Sequence, residues 1–199
     1  MIGVVDYGMG NLLSVLKAFE RVGRPARIVR TARELNTSDK LVLPGVGAFG
    51  QAMENLAQRG LLAPLRDAIA DRTPLLGICL GLQLLFDRSE EHGNHEGLGL
   101  LRGDVTRLPS TVKVPHIGWN QLAIVRKSPL LDGIPDDAFF YFVQSFYVRP
   151  ENVACVVGAT DYGLPFASVV EEDHIFGVQF HPEKSQQVGL RLLANFGGL

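Results

Sequence analysis

Leu75-Leu76-Gly77-Ile78-Cys79-Leu80-Gly81-Leu82-Gln83 reads as an apolar strand, a sharp turn at a cysteine, and the opening of a helix. Gly77 and Gly81 flank Cys79 in the G-x-C-x-G form of a nucleophile elbow, where backbone segments approach too closely for a Cβ. A cysteine in that place heads a helix, whose N-terminal dipole favours thiolate over thiol. Without such help, a thiol of ordinary pKa is ionised only to about a few per cent at neutral pH. The motif is short, and alone it fits a small buried apolar cysteine equally well. Cys155, in Ala154-Cys155-Val156-Val157, has neither glycine flanks nor a turn signal and reads as core.

On the N-terminal side of the elbow, short apolar runs at residues 2–5, 28–29, 41–43 and 75–79 alternate with amphipathic stretches. Runs this continuous suit strands buried on both faces, as in a parallel sheet covered by helices. Leu12, Val15, Leu16, Phe19 and Val22 recur at helical spacing behind Asn11, a fitting N-cap. A second helix is predicted over 61–70, where Leu62, Leu65 and Ile69 share a face. On the C-terminal side the pattern changes: runs at 105–108, 122–125, 139–146, 153–160, 166–170 and 175–180 follow one another with short turns between. A last helix is predicted at about 186–196, and residues 87–97 read as a polar loop. The expectation is an α/β fold, a single domain over 1–199. Its mostly parallel central sheet carries flanking helices and gains antiparallel strands in the C-terminal half.

The chain has 199 residues, enough for one substantial core and too few for two comfortable ones. With 46% hydrophobic and 20% charged residues and a net charge of −2, nothing favours a nucleic-acid partner or an anionic membrane. No apolar run approaches the roughly 18 residues of a membrane span. The start, with no basic region, does not read as a signal peptide. Two cysteines make no disulfide framework, and a reducing cytoplasm is the expected compartment.

A nucleophilic cysteine needs a base and a group to orient it. His181 closes the apolar run at 175–180 and is followed by Pro182-Glu183. Strand ends are where such sheets present functional side chains. If the extended geometry persists through Pro182, His181 and Glu183 share a face, and the carboxylate can fix the imidazole tautomer. By itself an H-x-E is more often a strand-end histidine and a solvated glutamate. His92 and His95, among Glu90, Glu91 and Glu96, read as a solvated loop, and no Cys/His set has metal-ligand spacing. Leu43-Pro44-Gly45-Val46-Gly47 follows a strand, and backbone N–H groups in such a turn can face a developing oxyanion. The N–H of Leu80, next after the nucleophile, is the expected second donor.

These segments, in this chain order, resemble the class I (triad) glutamine amidotransferases. An α/β-hydrolase would place its acid between nucleophile and histidine, whereas Glu183 follows His181. The segments 6–12, 44–47, Pro115-His116-Ile117-Gly118-Trp119-Asn120 and 181–185 are further similar to the glutaminase subunits of imidazole glycerol phosphate synthase. The resemblance covers essentially the whole chain. It implies that Cys79, with His181 and Glu183, hydrolyses glutamine through a thioester, its oxyanion held by Leu80 and the Val46–Gly47 turn. It implies glutamine contacts at Gln83, Ser145 and Phe146. It also implies delivery of ammonia to a (β/α)8-barrel cyclase subunit in a heterodimer, in histidine biosynthesis, with no metal or organic cofactor. Asn11, Trp119, Asn120 and Lys184 correspond to subunit-interface positions. The isolated subunit is expected to be nearly idle. Two residues depart from the pattern: Gln144 stands where the family usually has His, and Phe146 where Tyr is common. Two alternatives remain open, an amidotransferase of the same class serving another synthase and a non-catalytic regulatory subunit on the same fold.

Overall fold

The computed structural model describes residues 1–199. The N-terminal half alternates strands and helices, as the apolar runs predict: β1 (Ile2–Val5), α1 (Leu12–Arg21), β2 (Ala26–Val29), α2 (Ala32–Asn36), β3 (Lys40–Gly45), α3 (Phe49–Gln58), α4 (Leu62–Ala70), β4 (Leu75–Cys79) and α5 (Leu80–Leu84). Asn11 caps α1, its side chain accepting the Ser14 N–H at 3.3 Å. Thr31 and Glu34 close a reciprocal capping box on α2. Neither α2 nor α3 is foreseen by the apolar runs. α3 has no side-chain cap, and only Phe49, Ala52 and Leu56 of it are buried.

The C-terminal half is strand-rich: β5 (Arg88–Ser89), β6 (His95–Glu96), β7 (Gly103–Arg107), β8 (His116–Ile124), β9 (Ala138–Gln144), β10 (Phe146–Pro150), β11 (Val156–Asp161), β12 (Pro165–Glu172) and β13 (Ile175–Val178), then α6 (Gln186–Gly198). Three expectations are corrected in detail. The run at 139–146 breaks at Ser145 into β9 and β10. The run at 153–160 opens with a 3-10 turn, Val153–Cys155, because Asn152 caps the Ala154 N–H at 3.1 Å. The polar stretch 87–97 is not all loop, for β5 and β6 pair antiparallel within it.

The sheet runs β2-β1-β3-β4-β13-β12-β10-β7-β5-β6, with β11, β8 and β9 branching from β12. From β2 to β13 the pairings are parallel, and from β13 to β7 they are antiparallel. β13 comes from the far end of the chain yet lies beside β4, with Gly177 opposite Gly77 and Val178 opposite Ile78. One core cluster joins Leu35 of α2, Leu56 of α3, Leu65 of α4 and Leu80 of α5 to one face of the sheet. The other packs Phe19 of α1 and Leu192, Leu193 and Phe196 of α6. Each fully buried Leu or Phe stabilises the fold by roughly 1.5–3 kcal/mol. No helix is long and apolar enough to cross a membrane.

Candidate active site

β4 ends in Cys79, which lines a cavity. Cys79 adopts φ 56° and ψ −112°, a backbone conformation strained for a residue with a side chain. The neighbouring glycines make that turn possible: a Cβ on Gly77 would lie 2.7 Å from Gly81 O, and one on Gly81 would overlap Leu43 O. Cys79 is 6% exposed, and α5 starts at the next residue. Cys155 is buried in the core, and burial pushes its thiol up to about 11.

β13 delivers the histidine. His181 Nδ1 lies 2.9 Å from Glu183 Oε1, and both side chains are nearly inaccessible. The pairing is not made along an extended strand as expected. Pro182–Lys184 forms a 3-10 turn, which the ring of Pro182 opens naturally. That turn folds Glu183 back under the imidazole. The carboxylate makes Nδ1 a donor and leaves Nε2 for the thiol side. The backbone is fixed as well: His181 N–H donates to Tyr141 O at 2.9 Å, while the buried Ser185 hydroxyl donates to His181 O at 2.6 Å and accepts the Tyr141 N–H at 3.0 Å. Burial opposes charge on His181, but hydrogen bonds and charge from Cys79 and then Glu183 outweigh it. The imidazolium is raised to about 10. His181 is therefore held as the protonated imidazolium at neutral pH.

A cavity of about 250 Å³ opens over Cys79 and His181. Every residue singled out for the oxyanion or for glutamine lines it: Val46, Gly47, Leu80, Gln83, Ser145 and Phe146. A larger depression of about 730 Å³ near Arg24, Lys127 and Asn195 has no cysteine or histidine in its lining, so size does not mark the site. The Gln83 amide donates to Phe146 O at 3.1 Å and to Gln179 Oε1 at 3.2 Å, which leaves its oxygen for a ligand. Gln144, the departure from the family pattern, also donates to Phe146 O, at 3.1 Å, and braces the bend between β9 and β10. No group of three or more His, Cys, Asp or Glu side chains is arranged to hold a metal.

Three residues with a part in this site escape the sequence reading. Glu91 lines the cavity, and its carboxylate accepts the Phe49 N–H at 2.7 Å, although it reads as part of a solvated loop. Gln179 is fully buried, with Nε2 3.8 Å from Cys79 Sγ. Tyr141 lies opposite Trp119 in the β8–β9 ladder, and the rings meet edge to face at 5.9 Å. Lys184 Nζ stands 5.9 Å from the same Tyr141 ring. Trp119 is 45% exposed, so Trp119, Tyr141 and Lys184 form an aromatic and basic step beside the histidine. Asn120 turns inward instead, donating to Asp161 O at 2.8 Å, and Asn11 caps its own helix. Only Gln179 carried a positional signal, at the end of the strand that leads to His181.

A family model described as glutamine amidotransferase class-I matches residues 3–197. The imidazole glycerol phosphate synthase subunit HisH of Moorella thermoacetica is 52% identical over 198 residues, covering 100% of this chain and 94% of that protein. The subunit of the same name from Aquifex aeolicus is 54% identical over 194 residues, 97% of this chain and 94% of its own length. Among solved structures, one described as a glutamine amidotransferase superposes with a TM-score of 0.78 at 20% identity, covering 100% of this chain and 99% of that one. PurLQS from Thermotoga maritima gives 0.77 at 18% identity, with 98% and 96% covered, and both likenesses speak to the fold. The elbow, the buried His–Glu pair and relatives about half identical along the full length agree: this chain belongs to the class-I glutamine amidotransferases, in the family of imidazole glycerol phosphate synthase HisH subunits.

Proposed function

We propose that the chain hydrolyses glutamine to glutamate and ammonia at Cys79 and passes the ammonia to a partner subunit, a (β/α)8-barrel cyclase of histidine biosynthesis. The observation that carries the chemistry is the buried His181–Glu183 pair beside the strained cysteine. The Cys79 thiolate adds to the carboxamide carbon of glutamine, forming a C–S bond and an oxyanion. Leu80 N–H and an N–H of the Val46–Gly47 turn stabilise that charge. Imidazolium at His181 gives its proton to the nitrogen as the C–N bond breaks, and ammonia leaves behind a γ-glutamyl thioester. Acylation also removes the thiolate charge that held the proton on His181. The imidazole then accepts a proton from water, which attacks the thioester and releases glutamate. Glu183 holds the ring throughout.

The cavity suits the substrate's other end. Glu91 supplies a negative charge for the α-ammonium group, while Ser145 and the Gln83 oxygen offer hydrogen bonds. Trp119, Tyr141 and Lys184 form the docking step for the partner, because exposed aromatic and basic groups beside an active site fit the anchors of an interface. Cytoplasmic work agrees with two free, buried cysteines. The decisive assay follows ammonia release from glutamine by the complex. Cys79→Ala abolishes it, and a glutamine-derived chloroketone labels Cys79 in the wild type. Turnover retained by Cys79→Ala would refute the nucleophile.

A further inference from the structure

Tyr7 belongs to the segment Asp6-Tyr7-Gly8-Met9-Gly10-Asn11, which no step of the chemistry above employs. Its side chain is fully buried, and its hydroxyl has no hydrogen-bond partner. Buried polar groups are rarely left so, and each exception asks for an explanation, a functional role among them. The hydroxyl lies under the oxyanion turn: a Cβ built on Gly45 would stand 2.6 Å from it, 2.8 Å from Leu80 Cβ and 3.0 Å from Gly81 N. Burial, and then the charge of Cys79, hold the phenol proton well above its ordinary range, so the group is a donor at every working pH.

The backbone above Tyr7 ends β3 in a turn that little holds in place. The β3–β4 ladder begins with Leu41 N–H donating to Pro74 O at 2.8 Å. Its alternation, continued along the register as far as Gly45 opposite Cys79, directs the Gly45 carbonyl to the β4 side, where Leu80 follows Cys79. No backbone hydrogen bond holds Val46 or Gly47. In a trans peptide the C=O and N–H point in opposite directions. Rotating the 45–46 peptide therefore turns that carbonyl away from the β4 side and carries Val46 N–H toward the cavity, and the displaced carbonyl then needs a donor below.

Resting on the amidotransferase reading, we propose that Tyr7 is a positioning residue for glutamine hydrolysis: its O–H donates to the Gly45 carbonyl once the 45–46 peptide has turned, which holds the Val46 and Leu80 N–H groups on the oxyanion. Tyr7→Phe removes one oxygen and keeps the ring. In the complex with its synthase partner, the variant's kcat falls about five- to tenfold. Its KM for glutamine stays within about twofold, since the bond acts on the transition state. Glutamate γ-semialdehyde, which the Cys79 thiol converts to a tetrahedral hemithioacetal, binds more weakly by the same factor as kcat. The unfolding temperature does not drop, because the lost hydroxyl had no partner at rest. Unchanged kcat in an active complex overturns the proposal alone, and so does a loss that appears in KM or in thermal stability instead. A wild-type complex that releases no ammonia from glutamine overturns the underlying reading together with it.

Discussion

The elbow at Cys79 and the turn at Val46–Gly47 face one cavity and are built in opposite ways. The elbow lies between two parallel neighbours, β3 and β13, its flanking glycines pressed against Gly81 O and Leu43 O. The turn hangs past the end of β3 with Val46 43% exposed, no backbone hydrogen bond at Val46 or Gly47, and Met9 as the support beneath Gly47. A nucleophile gains from being fixed, since misplacement costs rate directly. On the proposed mechanism the rigid half carries the nucleophile, and the loose half carries an oxyanion donor that is free to move.

The largest test of that contrast is Gly81→Ala. A Cβ there overlaps Leu43 O, and the obstacle is the backbone of β3 rather than a side chain that could swing away. Denaturant unfolding should show a loss of about 3 kcal/mol, with glutaminase activity gone. A well-folded, active Gly81→Ala protein would mean that the elbow is as pliable as the turn. Next comes His181→Asn, which should lower kcat by about 10²- to 10⁴-fold with the fold intact. Glu183→Gln tests the electrostatics of the rigid half. His181 must be protonated to release ammonia, and it is raised above the ordinary 6.5 to about 10, so the wild type should lose activity as pH rises through that value. Removing the Glu183 charge takes away a cause of the rise. The alkaline limb of kcat then moves toward neutrality, and an unmoved limb would show that Glu183 does not hold the proton.

On the loose side, effects on the chain alone shrink. Trp119→Ala should weaken partner affinity by about tenfold or more, as an exposed aromatic anchor does. The unfolding midpoint of the free chain should hardly change, because Trp119 is half exposed. Gly47→Ala is the mildest case. Its φ of 100° disfavours a side chain and Met9 stands close, yet Met9 can swing aside. The cost should be about 1 kcal/mol in thermal unfolding, measured alongside a change in the ratio of partner-stimulated to free glutaminase rates. A large destabilisation would show that the turn is part of the rigid half.

The rigid half was also the legible half. Cys79, His181 and Glu183 announce themselves because glycine flanks, strand ends and chain order are local properties of sequence. The parallel sheet was readable for the same reason, since strands buried on both faces have continuous apolar runs. What escaped depends on contacts between distant segments. Glu91 turns toward the cavity because it caps the amide of Phe49 across 42 positions, and nothing local marks it among three loop glutamates. Tyr141 sits unmarked in an apolar run, while its partners Trp119 and Lys184 come from elsewhere in the chain. Alternation along a strand brings His181 and Glu183 to one face only if the extended geometry persists through Pro182. The proline instead begins a 3-10 turn, and the pair still meets at 2.9 Å.

β13 pairs with β4 across 100 positions of sequence, Val178 beside Ile78. During synthesis the cysteine therefore emerges long before its base. A ribosome-bound or C-terminally truncated chain holds Cys79 without His181, Glu183 or the strand that completes the parallel core. Such a chain has the nucleophile without its general acid and base, so it should release no ammonia from glutamine. The wiring that slows folding by requiring a distant strand also ties the appearance of activity to arrival of the last twenty or so residues.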